Sequence, residues 1–264
     1  MLINKEIINN YKDCGVALLR NVISNQWLKK LATGIEKNFK NPSRYKCIYE
    51  KENDKEIFYD DYCNWQRIEE YKDFIFNSDI AKIAAQLMQS KKVNLFHEHI
   101  LIKEPGATKR TPWHQDQPYY CVDGKDNTSL WIPLDHISKE VCPEFVKYSH
   151  KWNKKFLPTK FFGHSYEKKD ENLEVVPDIS ANRKDYDIIS WKLKPGDLIA
   201  FNFSIIHGAP GNSSSNRRRA FSVRFVGDDA TFAKRKGEVS PPFPEVKLNH
   251  GDKMDCESFP EIKL

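Results

Sequence analysis

The chain has 264 residues, of which 39% are hydrophobic, 30% charged and 12% aromatic, with a formal net charge of +5. That length holds one large domain or two small ones, and the aromatic supply argues for a globular protein rather than a disordered one. So small a basic excess argues against a dedicated nucleic-acid protein, and no apolar run approaches the length of a membrane span. The opening "MLINKEIINNYKDCG" has acidic residues and no apolar signal region, so secretion is not expected. The six cysteines (Cys14, Cys47, Cys63, Cys121, Cys142 and Cys256) are widely spaced, with no Cys-x-x-Cys pair. This fits reduced thiols in a cytoplasmic protein better than a disulfide framework or a zinc ribbon.

In chain order, residues 3–12 read as a short helix, and "GVALLRNVI" from Gly15 reads as a strand. Ser24 is placed to cap the next helix, "NQWLKKLATGIEKNF", where Trp27, Leu28, Leu31 and Ile35 recur at helical spacing. Residues 40–70 are polar and aromatic without a strong period. "SDIAKIAAQLMQS" reads as a further helix with Ser78 as its cap. The texture then changes to short β-branched and aromatic runs: "KVNLFHEHILIKEPG", "TSLWIPLDHI", "CPEFVKYSH", "DIISWKL", "DLIAFNFSIIHG" and "RRAFSVRFVG". Turn residues such as "KPGD" at 194–197 separate them. Helices first and strands afterwards predict one α+β domain whose catalytic half is a β-sandwich or jelly roll. Residues 1–90 form its mainly helical part, 91–228 its core and 229–264 a C-terminal arm. The charged, weakly periodic stretch 151–187 reads as an insertion or lid.

One stretch poses a chemical question: "TPWHQDQPYY", residues 111–120. Pro112 biases Thr111 to extended backbone. In a strand over 111–117, His114 and Asp116 project to the same side. They are either scattered polar residues at a strand end or two thirds of a metal site. Of the eight histidines, His207 stands out. It ends the apolar run "LIAFNFSIIHG" with Gly208 behind it. Two histidines and a carboxylate on one face of an octahedral ion leave three adjacent positions, the arrangement of non-haem Fe(II) oxygenases. Those positions accommodate a bidentate 2-oxo acid and O₂. The far carboxylate of the oxo acid then requires a cation, and a guanidinium on the strand after His207 suits it.

"WHQD" at 113–116, "HGAPGN" at 207–212 and "RRAFSVRF" at 218–225 resemble the phytanoyl-CoA dioxygenase family of Fe(II)/2-oxoglutarate-dependent oxygenases. The likeness runs over roughly residues 8–228 and is specific at the metal and arginine positions. It implies a double-stranded β-helix, cupin-like, with flanking N-terminal helices and the triad at one open end. It implies Fe(II), held by His114, Asp116 and His207, with 2-oxoglutarate as co-substrate and O₂ as oxidant. The family's arginine follows the distal His by eleven positions, which selects Arg218 over Arg217 and Arg219 as the anchor for 2-oxoglutarate. The resemblance also implies that Trp131 packs beside the cofactor, with Lys103 a weaker candidate for a carboxylate. The chain departs from the family at Tyr148, where many members carry Gly, and at Ala209, where a member carries Ser. A carboxylate at Asp116 argues against halogenation, since related halogenases have a small residue there.

Plainer readings stand beside these. Arg217 and Arg219 read as exposed charge, His136 and His150 as structural, and Asp197 as a turn residue. His97 and His99 share a strand face with Lys103 and either line the pocket or satisfy polar neighbours. Trp113, Tyr119 and Tyr120 read first as wall and core, or else as an aromatic box for a quaternary amine. With Gln117, Tyr119 and Tyr120 are the candidate substrate contacts. The expected activity is hydroxylation of an unactivated C–H bond in a small polar metabolite, such as an aminoalkylphosphonate or a quaternary amine, with release of succinate and CO₂. An acyl-CoA hydroxylase of the same family is the first alternative. A zinc hydrolase on the same ligands, or a non-catalytic jelly-roll binding protein, are the others. The expected partner is a small molecule, with neither nucleic acid nor membrane; oligomeric state is not legible.

Overall fold

Asn4 and Ser24 each turn a side-chain oxygen onto a backbone N–H three residues ahead, Ile7 and Trp27, and so open the first two helices. In the computed structural model, which describes residues 3–159 and 170–264, these are α1 (Lys5–Cys14) and α2 (Asn25–Lys40), with β1 (Val16–Leu19) between them. Residues 40–70 are not structureless. They supply a hairpin, β2 (Cys47–Glu52) and β3 (Lys55–Tyr62), followed by α3 (Glu69–Asn77) and α4 (Ile80–Met88). Ser78 is the C-cap of α3, its hydroxyl donating to the Phe74 carbonyl, and the same oxygen accepts from the Ile80 N–H that starts α4, so it serves both helices although Asp79 holds the N-cap position.

The remaining strands are β4 (Asn94–Lys103), β5 (Thr111–His114), β6 (Val122–Asp123), β7 (Asn127–Pro133), β8 (Glu144–Val146), β9 (Ile188–Ile189), β10 (Leu198–Phe201), β11 (His207–Ala209), β12 (Arg218–Val226) and β13 (Thr231–Phe232). A large antiparallel sheet runs β1-β10-β7-β12-β4-β3-β2, and a smaller one β5-β11-β8-β9. Together they form the jelly roll. The run "LIAFNFSIIHG" is two strands rather than one. Asn202 and its neighbours turn the chain, so that β10 stays in the large sheet and β11 crosses to the small one. His207 therefore begins a strand instead of ending one.

The helices cover the outer face of the large sheet. Leu31, Ile35, Tyr71 and Phe74 meet Phe221, Val223 and Phe225 there in one apolar cluster. No helix among the described residues is long and apolar enough to cross a membrane. All six cysteines are free thiols. The C-terminal arm folds back on the core: Leu95 N–H donates to the Pro260 carbonyl, and Phe259 is buried beside Phe96. Part of the expected lid, 160–169, lies outside the described residues. Its flanks are anchored, with Phe156 and Ile179 buried against Val146 and Ile206.

Candidate active site

Antiparallel pairing of β5 with β11 places His114 directly opposite His207. Their rings lie 4.2 Å apart between centroids. Each Nδ1 faces a backbone carbonyl, Pro112 at 2.8 Å for His114 and Ile205 at 3.1 Å for His207. Nδ1 is thus the N–H donor in both rings, and each Nε2 keeps its lone pair. Both Nε2 atoms point at Asp116 Oδ1, at 3.3 and 3.7 Å. One ligand atom from each of the three side chains lies within 4.8 Å of the others, in a buried position. Three lone-pair acceptors converge here with no proton between them, an arrangement that repels itself until a cation enters. The donor set is the one expected of a non-haem iron centre, and the residues fit the metal.

The electrostatics agree. Burial, followed by the neighbouring His114, pushes the His207 imidazole down to about 4, so it stays neutral as a ligand must. Burial raises the Asp116 carboxyl, but His207 and His114 in their protonated forms, together with Arg224, outweigh that and hold it well below the usual carboxylate range.

The chain does not remain extended through 117. Asp116 adopts right-handed helical angles at the start of a short 3-10 turn, Gln117–Tyr119. The N–H groups of Asp116 and Gln117 both donate to the Phe203 carbonyl. This bend corrects one expectation. Gln117 turns away from the triad, donates to the Gly124 carbonyl at 2.9 Å and lines a different cavity. The bend also gives Tyr119 and Tyr120 another task. Their hydroxyls donate to the two carboxylate oxygens of Asp116, at 2.5 and 3.1 Å. They fix the acid's orientation and also line the cavities in front of it.

Two adjoining cavities share His99 and Tyr119. The inner chamber, of about 70 Å³, holds the triad with Trp131, Arg218, Ser222 and Arg224. The vestibule, of about 300 Å³, lies against the β2–β3 hairpin, His97 and Ser240–Pro242 of the arm. Arg218 is 6% exposed and donates to the carbonyls of Val141 and Pro210. Burial pushes its guanidinium down to about 10. Its neighbours face outward as expected, Arg217 on Glu104 and Arg219 on Asp135. Lys103 sits opposite Arg218 across the β4–β12 ladder but does not line the chamber. Its ammonium is spent on the carbonyls of Lys109 and Pro210, at 2.7 and 3.0 Å. Burial, then Arg218 and Arg110, push it down to about 6.

Two groups were not singled out from the sequence. Arg224 stands with its Nε 3.8 Å from Asp116 Oδ2, and its Nε and Nη1 have no hydrogen-bond partner among the described residues. A signal for it existed: six residues after Arg218 on the same strand, it falls on the same face. Asp60 on the hairpin accepts from His99 Nε2 at 2.9 Å. Nothing in the aperiodic stretch around it marked it.

Residues 11–220 match the model of the family described as phytanoyl-CoA dioxygenase (PhyH). A phytanoyl-CoA dioxygenase of Arabidopsis thaliana is 29% identical over 160 residues, covering 60% of this chain and 53% of that protein; the alignment thus spans about half the relative's length. A 2-aminoethylphosphonate dioxygenase from the uncultured bacterium HF130_AEPn_1 is 28% identical over 198 residues, covering 71% of this chain and 68% of that one. Among solved structures, the non-heme alpha ketoglutarate dependent carbocyclase SnoK from nogalamycin biosynthesis superposes with a TM-score of 0.78 at 20% identity, covering 99% of this chain and 97% of its own. The epimerase SnoN in complex with Fe3+, alpha ketoglutarate and nogalamycin RO gives 0.76 at 17% identity, covering 98% of both. At such identities these structures bear on the fold.

Proposed function

Because the chain belongs to the phytanoyl-CoA dioxygenase family of Fe(II)/2-oxoglutarate-dependent oxygenases, we propose that it hydroxylates an unactivated C–H bond of a small polar metabolite. The observation that carries this reading is the convergence of three unprotonated ligand atoms beside a buried guanidinium in one chamber. His114, Asp116 and His207 would hold Fe(II). Arg218 would take the far carboxylate of 2-oxoglutarate, with Trp131 as the wall beside it. With O₂, that pair supplies the oxidising power that turns C–H into C–OH as 2-oxoglutarate becomes succinate and CO₂.

The chain's own residues do the rest. The two Nδ1–H···O=C bonds lock the imidazoles in the liganding tautomer. Tyr119 and Tyr120 hold the Asp116 carboxylate in place. Burial of Trp131, Phe201 and Phe145 around the chamber excludes bulk water. The vestibule stands at the lower end of small-molecule site volumes, which favours a compact metabolite over an acyl-CoA. The similarity to a 2-aminoethylphosphonate dioxygenase supports the same size class. A zinc hydrolase would leave the buried Arg218 without a task.

The test is succinate release. Arg218→Ala is expected to raise the half-saturating 2-oxoglutarate concentration roughly 30-fold, about 2 kcal/mol of charge-assisted hydrogen bonding, with iron content unchanged. An unchanged 2-oxoglutarate dependence would remove Arg218 from that role. Turnover that needs zinc and no 2-oxoglutarate would overturn the whole reading.

A further inference from the structure

The turn that follows the triad acid Asp116 is gripped by the C-terminal arm, which takes up five of its carbonyls. Ala233 N–H donates to the Cys121 carbonyl at 3.0 Å and Ser240 N–H to the Tyr119 carbonyl at 2.9 Å. Arg235 takes the other three. Its Nε donates to the Tyr120 carbonyl at 2.8 Å, and its Nη2 to those of Gln117 and Val122 at 3.2 and 2.6 Å. Its Nη1 donates to Asp123 Oδ1 at 2.9 Å. Of these donors only Arg235 uses a side chain, which is 15% exposed. It lies beyond residues 11–220, the stretch that matches the family model.

Gln117, Tyr120 and Val122 are buried, where a carbonyl needs a donor. A guanidinium presents its N–H groups in a rigid planar fork, so meeting three carbonyls at once fixes the curvature of the turn between them. That curvature matters because of what the turn carries. The Tyr119 hydroxyl reaches Asp116 Oδ1, the oxygen that both imidazole Nε2 atoms face. The Tyr120 hydroxyl reaches Oδ2. Each tyrosine is therefore pinned at both ends, its carbonyl by the arm and its hydroxyl by the carboxylate. A metal ligand has to be held to within about 0.5 Å of its working place, and the partners that orient it are worth roughly ten- to a hundred-fold in metal affinity.

We infer that Arg235 is a positioning residue for the metal: through the carbonyls of the 117–122 turn it sets where Tyr119 and Tyr120 hold the Asp116 carboxylate. The inference rests on the metal reading of the triad given above. Arg235 lines neither the chamber nor the vestibule; its effect reaches the ion through the two hydroxyls.

The experiment titrates Fe(II) anaerobically into the metal-free chain in competition with a coloured chelator, so that affinity is read without turnover. Arg235→Ala should weaken Fe(II) binding by about ten-fold. Arg235→Lys keeps the charge beside Asp123 but loses the fork, and should weaken it by about three-fold or more. In a Tyr119→Phe/Tyr120→Phe background, where the hydroxyls are gone, the same substitutions should change Fe(II) affinity by less than about two-fold. An arginine that merely holds the arm down would weaken binding equally in both backgrounds, and that result overturns the assignment. So does an Fe(II) affinity that Arg235→Ala leaves unchanged. Where circular dichroism shows Arg235→Ala unfolded, Arg235→Lys carries the same double-mutant cycle. If the unaltered chain binds no Fe(II), or binds it equally well after Asp116→Ala, the metal reading beneath is overturned instead.

Discussion

The two faces of β12 carry opposite chemistries. Outward, Phe221, Val223 and Phe225 are fully buried under the helices, with Phe221 4.9 Å from the Tyr71 ring and 5.7 Å from Phe74. Inward, Arg218, Ser222 and Arg224 line the chamber. The strand β4 beside it repeats the pattern, with Ile100 and Ile102 in the helix-side cluster and His97 and His99 at the cavities. Burial is almost complete on both faces, yet only one is apolar. The outer face gains from removing hydrocarbon from water. The inner face gives up that gain to keep polar groups poised in a dry space, where their interactions are stronger. Stability and chemistry are thus assigned to alternate residues of the same strands.

The division can be broken by substitution. Asp116→Ala should have the largest effect, a loss of turnover of roughly a thousand-fold or more, accompanied by loss of bound iron in metal analysis while circular dichroism shows the fold retained. Phe221→Ala should do the reverse. We expect about 3–5 kcal/mol lost in denaturant unfolding, with the half-saturating 2-oxoglutarate concentration of the folded protein unaltered. A large kinetic defect in Phe221→Ala would show that the two faces are coupled.

Glu98 sharpens the contrast, because it is a polar residue on the helix side. It is fully buried and accepts from the Asn64 N–H, but its Oε2 has no partner among the described residues. Burial pushes its carboxyl up to about 8. The folded state therefore prefers the protonated acid. Its contribution is complete below the ordinary carboxyl range of about 4.5 and is lost as pH rises through about 8. Glu98→Gln should flatten the fall in unfolding free energy between those limits, leaving the variant the more stable protein at pH 9 by roughly 2 kcal/mol. Identical pH profiles for the two proteins would refute this.

How much the sequence disclosed follows from the range of the interactions involved. His114 and His207 were legible because each sits at a strand end marked by Pro112 or Gly208, and pairing then made them neighbours. Arg218 was legible through its spacing from His207 and the family likeness. Gln117 was misplaced because the turn after His114 depends on a carbonyl from Phe203, far along the chain, which no local period announces. Lys103 was misjudged for a related reason: its acceptors at Lys109 and Pro210 belong to loops whose paths are set by tertiary contacts. The hairpin that brings Asp60 to the vestibule was missed because its residues are half-buried on one strand and buried on the other, which erases alternation.

The arm that supplies Ser240–Pro242 to the vestibule has a consequence of its own. It leaves the ribosome after every barrel strand, so the doorway is the last part of the site to be made. It also grips the turn behind the metal ligand Asp116: Ser240 N–H donates to the Tyr119 carbonyl and Arg235 Nε to the Tyr120 carbonyl, the two residues whose hydroxyls hold that carboxylate. Any change to this last-made stretch therefore bears on the seat of Asp116 as well as on what the doorway admits.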